Sequence, residues 1–264
     1  MSLSKSCVRE FTGDPVNGGI DGVFHINQHD LQISVSRSAR RPSVRVIPHN
    51  NHEASLEAAR TTEIIQHGDR LTVRLPREKN GLSSNTMMIG GNAVVNGVRY
   101  QGPVTIVNGV VYSGHGASEA MNSGVRVEVV LPEGSSARID AISGNSEADG
   151  PLEHLQFKSV SGDVQASEVR SVSGGTTSGD VELGVVQEGG SVKSVSGSVE
   201  VANYNGRDLS VSAVSGDVYV TAGPGAQGTI SLSTVSGNVT TRNTRGRPGL
   251  RVRPSTVSGR VREN

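Results

Sequence analysis

Asp163, Asp180 and Asp217 each follow a glycine within the same short phrase, so carboxylates stacked along one edge could offer oxygen ligands to calcium. The column is broken by Ser198, Asn238 and Arg260, and the Gly-Gly-x-Gly-x-Asp nonapeptide of calcium-binding β-rolls is absent. Asp and Asn at turns satisfy nearby backbone groups. Turn chemistry is therefore expected here rather than a metal site.

Two histidine pairs, His25 with His29 and His49 with His52, have a spacing that would hold a metal on a helix. The first pair lies in strand-like sequence, where residues four apart stand about 13 Å from one another, too far for one ion. The second lies in a polar turn with no evident third ligand, and solvent-exposed histidines are expected at both. No Gly-x-Ser-x-Gly elbow supplies a nucleophilic serine, and Cys7 has no histidine beside it. A β-helix polysaccharide lyase or hydrolase would need converging carboxylates and aromatic platforms for sugar. Three Phe and four Tyr in the whole chain supply little of that. Neither a catalytic residue nor a cofactor is predicted. An ice-binding array fails too, because no threonine column persists.

From residue 241 onward Arg242, Arg245, Arg247, Arg251, Arg253, Arg260 and Arg262 face a single acid, Glu263. Arg245, Arg247, Arg251 and Arg253 are the candidates for contact with phosphate or an anionic surface. Basic residues on an exposed strand also block edge-to-edge aggregation, and that is the reading preferred here. Without interleaved aromatics, no nucleic acid is expected.

The element that must carry these residues is a repeat. Glycines at Gly144, Gly162, Gly179, Gly197, Gly216, Gly237 and Gly259 recur at intervals of 18, 17, 18, 19, 21 and 22 residues, each in a variant of apolar-Ser-Gly-polar-Val. Intervals of that size match one solenoid coil. Seven and five residues before each glycine stand mostly apolar side chains, such as Leu209 and Val211, with polar or small ones between. That alternation marks a strand with one buried face. Two residues before the glycine come Ile142, Val160, Thr177, Val195, Val214, Val235 and Val257, a column expected to bury its side chains at a corner. Two after it come Ser146, Val164, Val181, Val199, Val218, Val239 and Val261, expected to form a second inward column. Glycine suits the corner where φ is positive or backbones stack closely. An α-helical repeat is disfavoured by so much Val, Thr, Ser and Gly. No single coil can bury its own apolar face, which is why such units come in series.

Upstream, residues 23–26, 31–35, 44–47 and 71–75 alternate like strands, His67-Gly68-Asp69 reads as a turn, and 53–60 is the one candidate helix. Two Val-Asn-Gly triplets, at 95–97 and 107–109, predict hairpins in a stretch otherwise rich in Gly, Asn and Val.

The fold predicted is all-β: a β-solenoid, or β-helix, of roughly 20-residue coils. A tail covers 1–19, a β-rich part of the solenoid or its cap 20–80, a hairpin insertion 81–124, and the repeat solenoid 125–264. Balanced charge, 25 basic against 25 acidic residues, gives no global attraction to nucleic acid or acidic lipid. One cysteine excludes an internal disulfide. No stretch reaches the roughly 18 apolar residues that would cross a bilayer. The chain as given is expected to be cytoplasmic or membrane-peripheral, with a surface location if a leader has been trimmed.

The run Val-Arg-Val-Glu-Val-Val-Leu-Pro-Glu-Gly over 125–134, followed by Ser-Gly-Asp-Val at 161–164, 178–181 and 215–218, resembles the bacterial putative-adhesin β-strand-repeat family. The resemblance covers 125–264 well and 20–80 weakly. It implies a single-stranded β-solenoid, frequently on a surface or membrane-associated protein, with no catalytic residues to carry across. The expected function is a non-catalytic binding or scaffold module whose longer loops, at 203–208, 222–228 and 245–249, form the contact edge. Its partner would be a protein, a glycan or an envelope component. The alternative is a self-assembling protein joined as a homo-oligomer through the C-terminal coil, and a β-helix carbohydrate enzyme ranks below both.

Overall fold

In the computed structural model, residues 9–50, 53–77 and 124–264 are described, together with strand segments 87–89, 93–95, 98–100, 104–107 and 110–113 between them. In chain order the elements begin with β1 (Arg9–Thr12), β2 (Asp21–Asn27), β3 (Asp30–Ser36), β4 (Ser43–Pro48), α1 (Glu53–Thr61), β5 (Glu63–His67) and β6 (Arg70–Arg74). Short strands β7 (Met87–Ile89), β8 (Ala93–Val95), β9 (Val98–Tyr100), β10 (Val104–Val107) and β11 (Val110–Ser113) follow. The repeat region runs through β12 (Val125–Pro132), β13 (Ser136–Ala141), β14 (Ser146–Ser159), β15 (Val164–Thr176), β16 (Val181–Ser194), β17 (Val199–Tyr204) and β18 (Asp208–Ser215). It closes with β19 (Val218–Ala222), β20 (Gly228–Ser236), β21 (Val239–Arg242), β22 (Leu250–Ser258) and β23 (Val261–Glu263).

These strands stack into a β-solenoid of about six turns. One parallel file passes from β12 to β3, the first part of β14, the first parts of β15 and β16, then β17, β19, β21 and β23. The other passes from β6 to β2, β13, the later parts of β14, β15 and β16, then β18, β20 and β22. Strict register along each file keeps identical positions of successive coils in contact. Val164, Val181, Val199, Val218 and Val239 pair in turn and are all buried. Ser146 takes the place of valine in the first of these coils and is buried too. Val261 continues the file but is 43% exposed, because no coil follows it within the described chain.

The column two residues before the glycine differs from expectation. Val160, Val195, Val214 and Val235 are each about half exposed, Val257 is 82% exposed, Thr177 is exposed and Ile142 half-buried. The inward parity of the strand instead runs on one step further, through Ala141, Ser159, Thr176, Ser194, Ala213 and Thr234, all buried. The chain turns only after that residue, so the valine at the next position is already on the outer side. A small side chain is required where the wall bends, and a hydroxyl there can reach the backbone of the turn.

None of the seven repeat glycines has a positive φ. Close stacking is what demands them. A Cβ on Gly162, Gly179, Gly197, Gly216, Gly237 or Gly259 would collide with the carbonyl oxygen of the glycine one coil earlier, and one on Gly144 with the carbonyl of His29. His29 thus occupies the corner of the first coil, built from β2 and β3, where Gly22, Phe24 and Leu31 align with Ala137, Ile139 and Ser146.

At the N-terminal end the stack is closed by antiparallel pieces. β1 pairs with β4, β4 with β12, and β5 with β6 across the His67-Gly68-Asp69 turn. Helix α1 lies against β4 and β12, with Ala58 and Ala59 buried. In the insertion, Val95 pairs with Val98 and Val107 with Val110, in antiparallel strands; the Asn-Gly turns between them lie outside the described residues.

Candidate functional site

The residue after each glycine builds a ladder along the corner. The Asp30 carboxylate accepts the backbone N–H of Asn145 at 3.1 Å, and Asn145 Oδ1 accepts that of Asp163 at 3.1 Å. Asp163 accepts from Asp180 at 2.9 Å and Asp180 from Ser198 at 2.7 Å. After a break the ladder resumes, with Asp217 accepting from Asn238 at 2.7 Å and Asn238 from Arg260 at 3.1 Å. The Asp217 carboxylate also accepts the Tyr219 hydroxyl at 2.8 Å. Hydrogen bonding, foremost that of the Asn238 backbone, holds its pKa below the usual carboxylate range, and the same contact raises that of Tyr219. These acids are engaged in joining one coil to the next. Among the described residues, no three His, Cys, Asp or Glu side chains are grouped to hold a metal ion.

Behind the ladder lies a buried row of hydroxyls that sequence reasoning misses. Ser159 Oγ and Ser194 Oγ donate to the carbonyls of Gly162 and Gly197 at 2.8 Å, and Thr176 Oγ1 accepts the Gly179 N–H at 3.0 Å. Thr234 and Thr256 reach the carbonyls of Gly216 and Gly237 in the preceding coils, at 3.1 and 3.0 Å. The signal was a small residue, Ala, Ser or Thr, three before every repeat glycine.

The histidines also depart from expectation. His29 is fully buried at the first corner, not exposed, and it lies past the end of β2 rather than within a strand. Its Nδ1 accepts the Val125 N–H at 3.3 Å, so Nε2 carries the proton and donates to the Pro76 carbonyl at 3.4 Å. The ring thereby ties together the two places where chain leaves and re-enters the stack around the insertion. Asn27 Nδ2 adds a bond to the Leu75 carbonyl at 2.8 Å, and the Gly124 carbonyl accepts from the His49 N–H at 2.9 Å. Desolvation by burial pushes the His29 pKa down. His25 faces Asp140 at 3.2 Å and His49 faces Asp30 at 3.4 Å, while His52 lies outside the described residues.

On the outer face of the first file, shallow depressions of about 460, 370 and 240 Å³ follow one another along the axis. Glu147, Asp163, Asp180, Glu182 and Glu200 line them toward the early coils and Tyr219, Thr240 and Arg242 toward the late ones.

The loop edge is assembled coil upon coil. Asn205 Oδ1 accepts the Gly225 N–H at 3.1 Å, the Gly206 carbonyl accepts the Gln227 N–H at 2.9 Å, and Arg247 donates to the Gly223 carbonyl. Loops 203–208, 222–228 and 245–249 therefore form one continuous surface, with Tyr204 fully buried beneath it. Of the four candidate arginines, Arg247 is half-buried and spends one donor on that loop contact. Arg245 is exposed on the same edge, and Arg251 and Arg253 project from the outer face of β22. The structure therefore does not gather the four into a single site.

A family model described as Toastrack DUF4097 matches residues 25–262. No curated protein matches the chain. A putative adhesin from Bacteroides fragilis superimposes with a TM-score of 0.56 at 13% identity, covering 97% of both chains. A putative adhesin from Parabacteroides merdae does so with a TM-score of 0.50 at 14% identity, covering 97% of this chain and 95% of that one. At such identities the likeness is one of fold.

Proposed function

The chain belongs to the Toastrack family, DUF4097, and from that premise we propose that it is a non-catalytic binding module in which a rigid stack presents a contact edge built from its later loops. The observation that carries the reading is the bonding of loops 203–208, 222–228 and 245–249 to one another across coils. A surface ordered before it meets its partner loses less entropy on binding than a set of independent loops would. The relatives of known structure are described as adhesins, which supports recognition rather than turnover. Among the described residues no helix is long and apolar enough to cross a membrane. The partner proposed is an extracellular or envelope protein or a glycan.

The test is a binding survey against glycan arrays, lipid vesicles and envelope extracts, run with the native protein and a variant whose 222–228 loop is shortened to a tight turn. Binding that disappears in the variant while the thermal transition is kept supports the reading. Binding unchanged by the deletion, or none to any probe, overturns it.

A further inference from the structure

The two ends of the stack are finished differently. At the N-terminal end, β1 and β5 are stitched together by Gln66, which accepts the Asp14 N–H at 2.9 Å and donates to the Asp14 carbonyl at 3.3 Å, and α1 lies alongside. At the C-terminal end, β22 pairs only with β20 and β23 only with β21, so both present an open edge. Leu250, Val252 and Pro254 on the inner face of β22 are only half-buried, whereas their counterparts one coil earlier, Ile230 and Leu232, are fully buried. Outward from the same strand project Arg251 and Arg253, both exposed, and no carboxylate among the described residues lies within ion-pair distance of either.

We propose that the open edge of β22 is a docking site for an extended acidic strand from another polypeptide, added in register as one more rung of the solenoid. The required chemistry follows from the edge itself. A strand alternates its side chains, so an added one must place apolar groups inward over Val252 and Pro254 and, at the intervening positions, carboxylates beside Arg251 and Arg253. Opposite charges on directly neighbouring strands are mutually stabilising and like charges are not. A second copy of this chain docked through its own β22 would bring Arg251 and Arg253 against an equally basic edge, which argues for an acidic partner over self-pairing.

The probe is a synthetic peptide of nine residues, the length of β22, alternating Val and Glu. Controls are the same peptide with Lys in place of Glu, and one of identical composition with its Val and Glu residues blocked rather than alternating. Binding to the full chain is measured by fluorescence anisotropy at two salt concentrations, with amide exchange reporting which strand becomes protected. The expected result is salt-sensitive binding of the Val-Glu peptide, at least tenfold tighter than of either control, with new protection in β22. The charge reversal Arg251→Glu with Arg253→Glu should invert the preference toward the Lys peptide, and that inversion shows the variant still folds and still pairs. Equal affinity for all three peptides, protection elsewhere in the chain, or a preference unchanged by the reversal would overturn the proposal. So would sedimentation showing that the edge is already occupied by a second copy. Binding of vesicles containing phosphatidylglycerol that depends on both arginines, with no peptide binding, would instead assign the edge to an anionic surface and also overturn it.

Discussion

The Asp217 carboxylate accepts the backbone N–H of Asn238, 21 residues further along the chain and one coil away, at 2.7 Å. A hydrogen bond to a charged acceptor contributes about 1.5–3 kcal/mol net, less where water competes. Val214, three residues earlier, is 50% exposed. Asp217→Ala is therefore expected to destabilise by about 1–2 kcal/mol, and Val214→Asp by no more than about 0.5 kcal/mol, as for other surface changes. Urea unfolding of the two variants checks the order; a larger loss from Val214→Asp would contradict the outward placement of that column.

Gly216→Ala should cost several kcal/mol, because its new methyl would meet the Gly197 carbonyl in a stack whose spacing is held by backbone bonds. Gly246→Ala offers the contrast. Its φ is +70° but nothing lies near the position of a Cβ, so only the backbone strain is felt, about 1 kcal/mol. Thermal melts that ranked the two the other way would show that conformation, not crowding, selects the repeat glycines.

Thr234→Val keeps the shape of a buried side chain and removes the bond it donates to the Gly216 carbonyl at 3.1 Å. The expected loss is about 1 kcal/mol, measured by chemical denaturation. No loss would mean that the hydroxyl row is a packing feature only.

His29 has a pKa below its ordinary value of 6.5 because burial disfavours the charged ring. A depressed value means that the folded state binds the proton less readily than the unfolded one. Its contribution to stability is thus fully present above about pH 6.5 and is lost as pH falls through the depressed value. The denaturation midpoint should be flat at neutral pH and decline on acidification, and His29→Gln should remove that part of the decline. Asp217 acts further down the scale: with its pKa held low, the stability it confers is lost only as pH falls below the ordinary carboxylate range. A profile for His29→Gln that overlays the native one throughout would rule out the neutral, bridging ring.

Val218 and Leu209 were legible from the sequence because each recurs once per coil and alternates with exposed neighbours, so periodicity alone assigns their face. Val214 was not, since a β-branched apolar residue beside a corner has the same character whichever way it points. Its side is decided by where the bend falls, one residue later than the spacing suggests. Thr234 and Ser194 escaped notice because an inward hydroxyl looks polar until its acceptor, a carbonyl in the turn or in the coil before it, is in view. His29 was hidden for a related reason: its partner Val125 is 96 residues away, so nothing in its own neighbourhood marks it as a corner. The loops at 203–208, 222–228 and 245–249 could be seen as longer coils, but their bonding to one another is a property of the assembled stack.

The ladder of side-chain acceptors is interrupted between Ser198 and Asp217, where no bond of its kind joins the two coils. In a quasi-one-dimensional array each junction bears tension on its own. A load pulling the ends apart would therefore find its tear line there, leaving an N-terminal block and a shorter C-terminal block, each still laced internally.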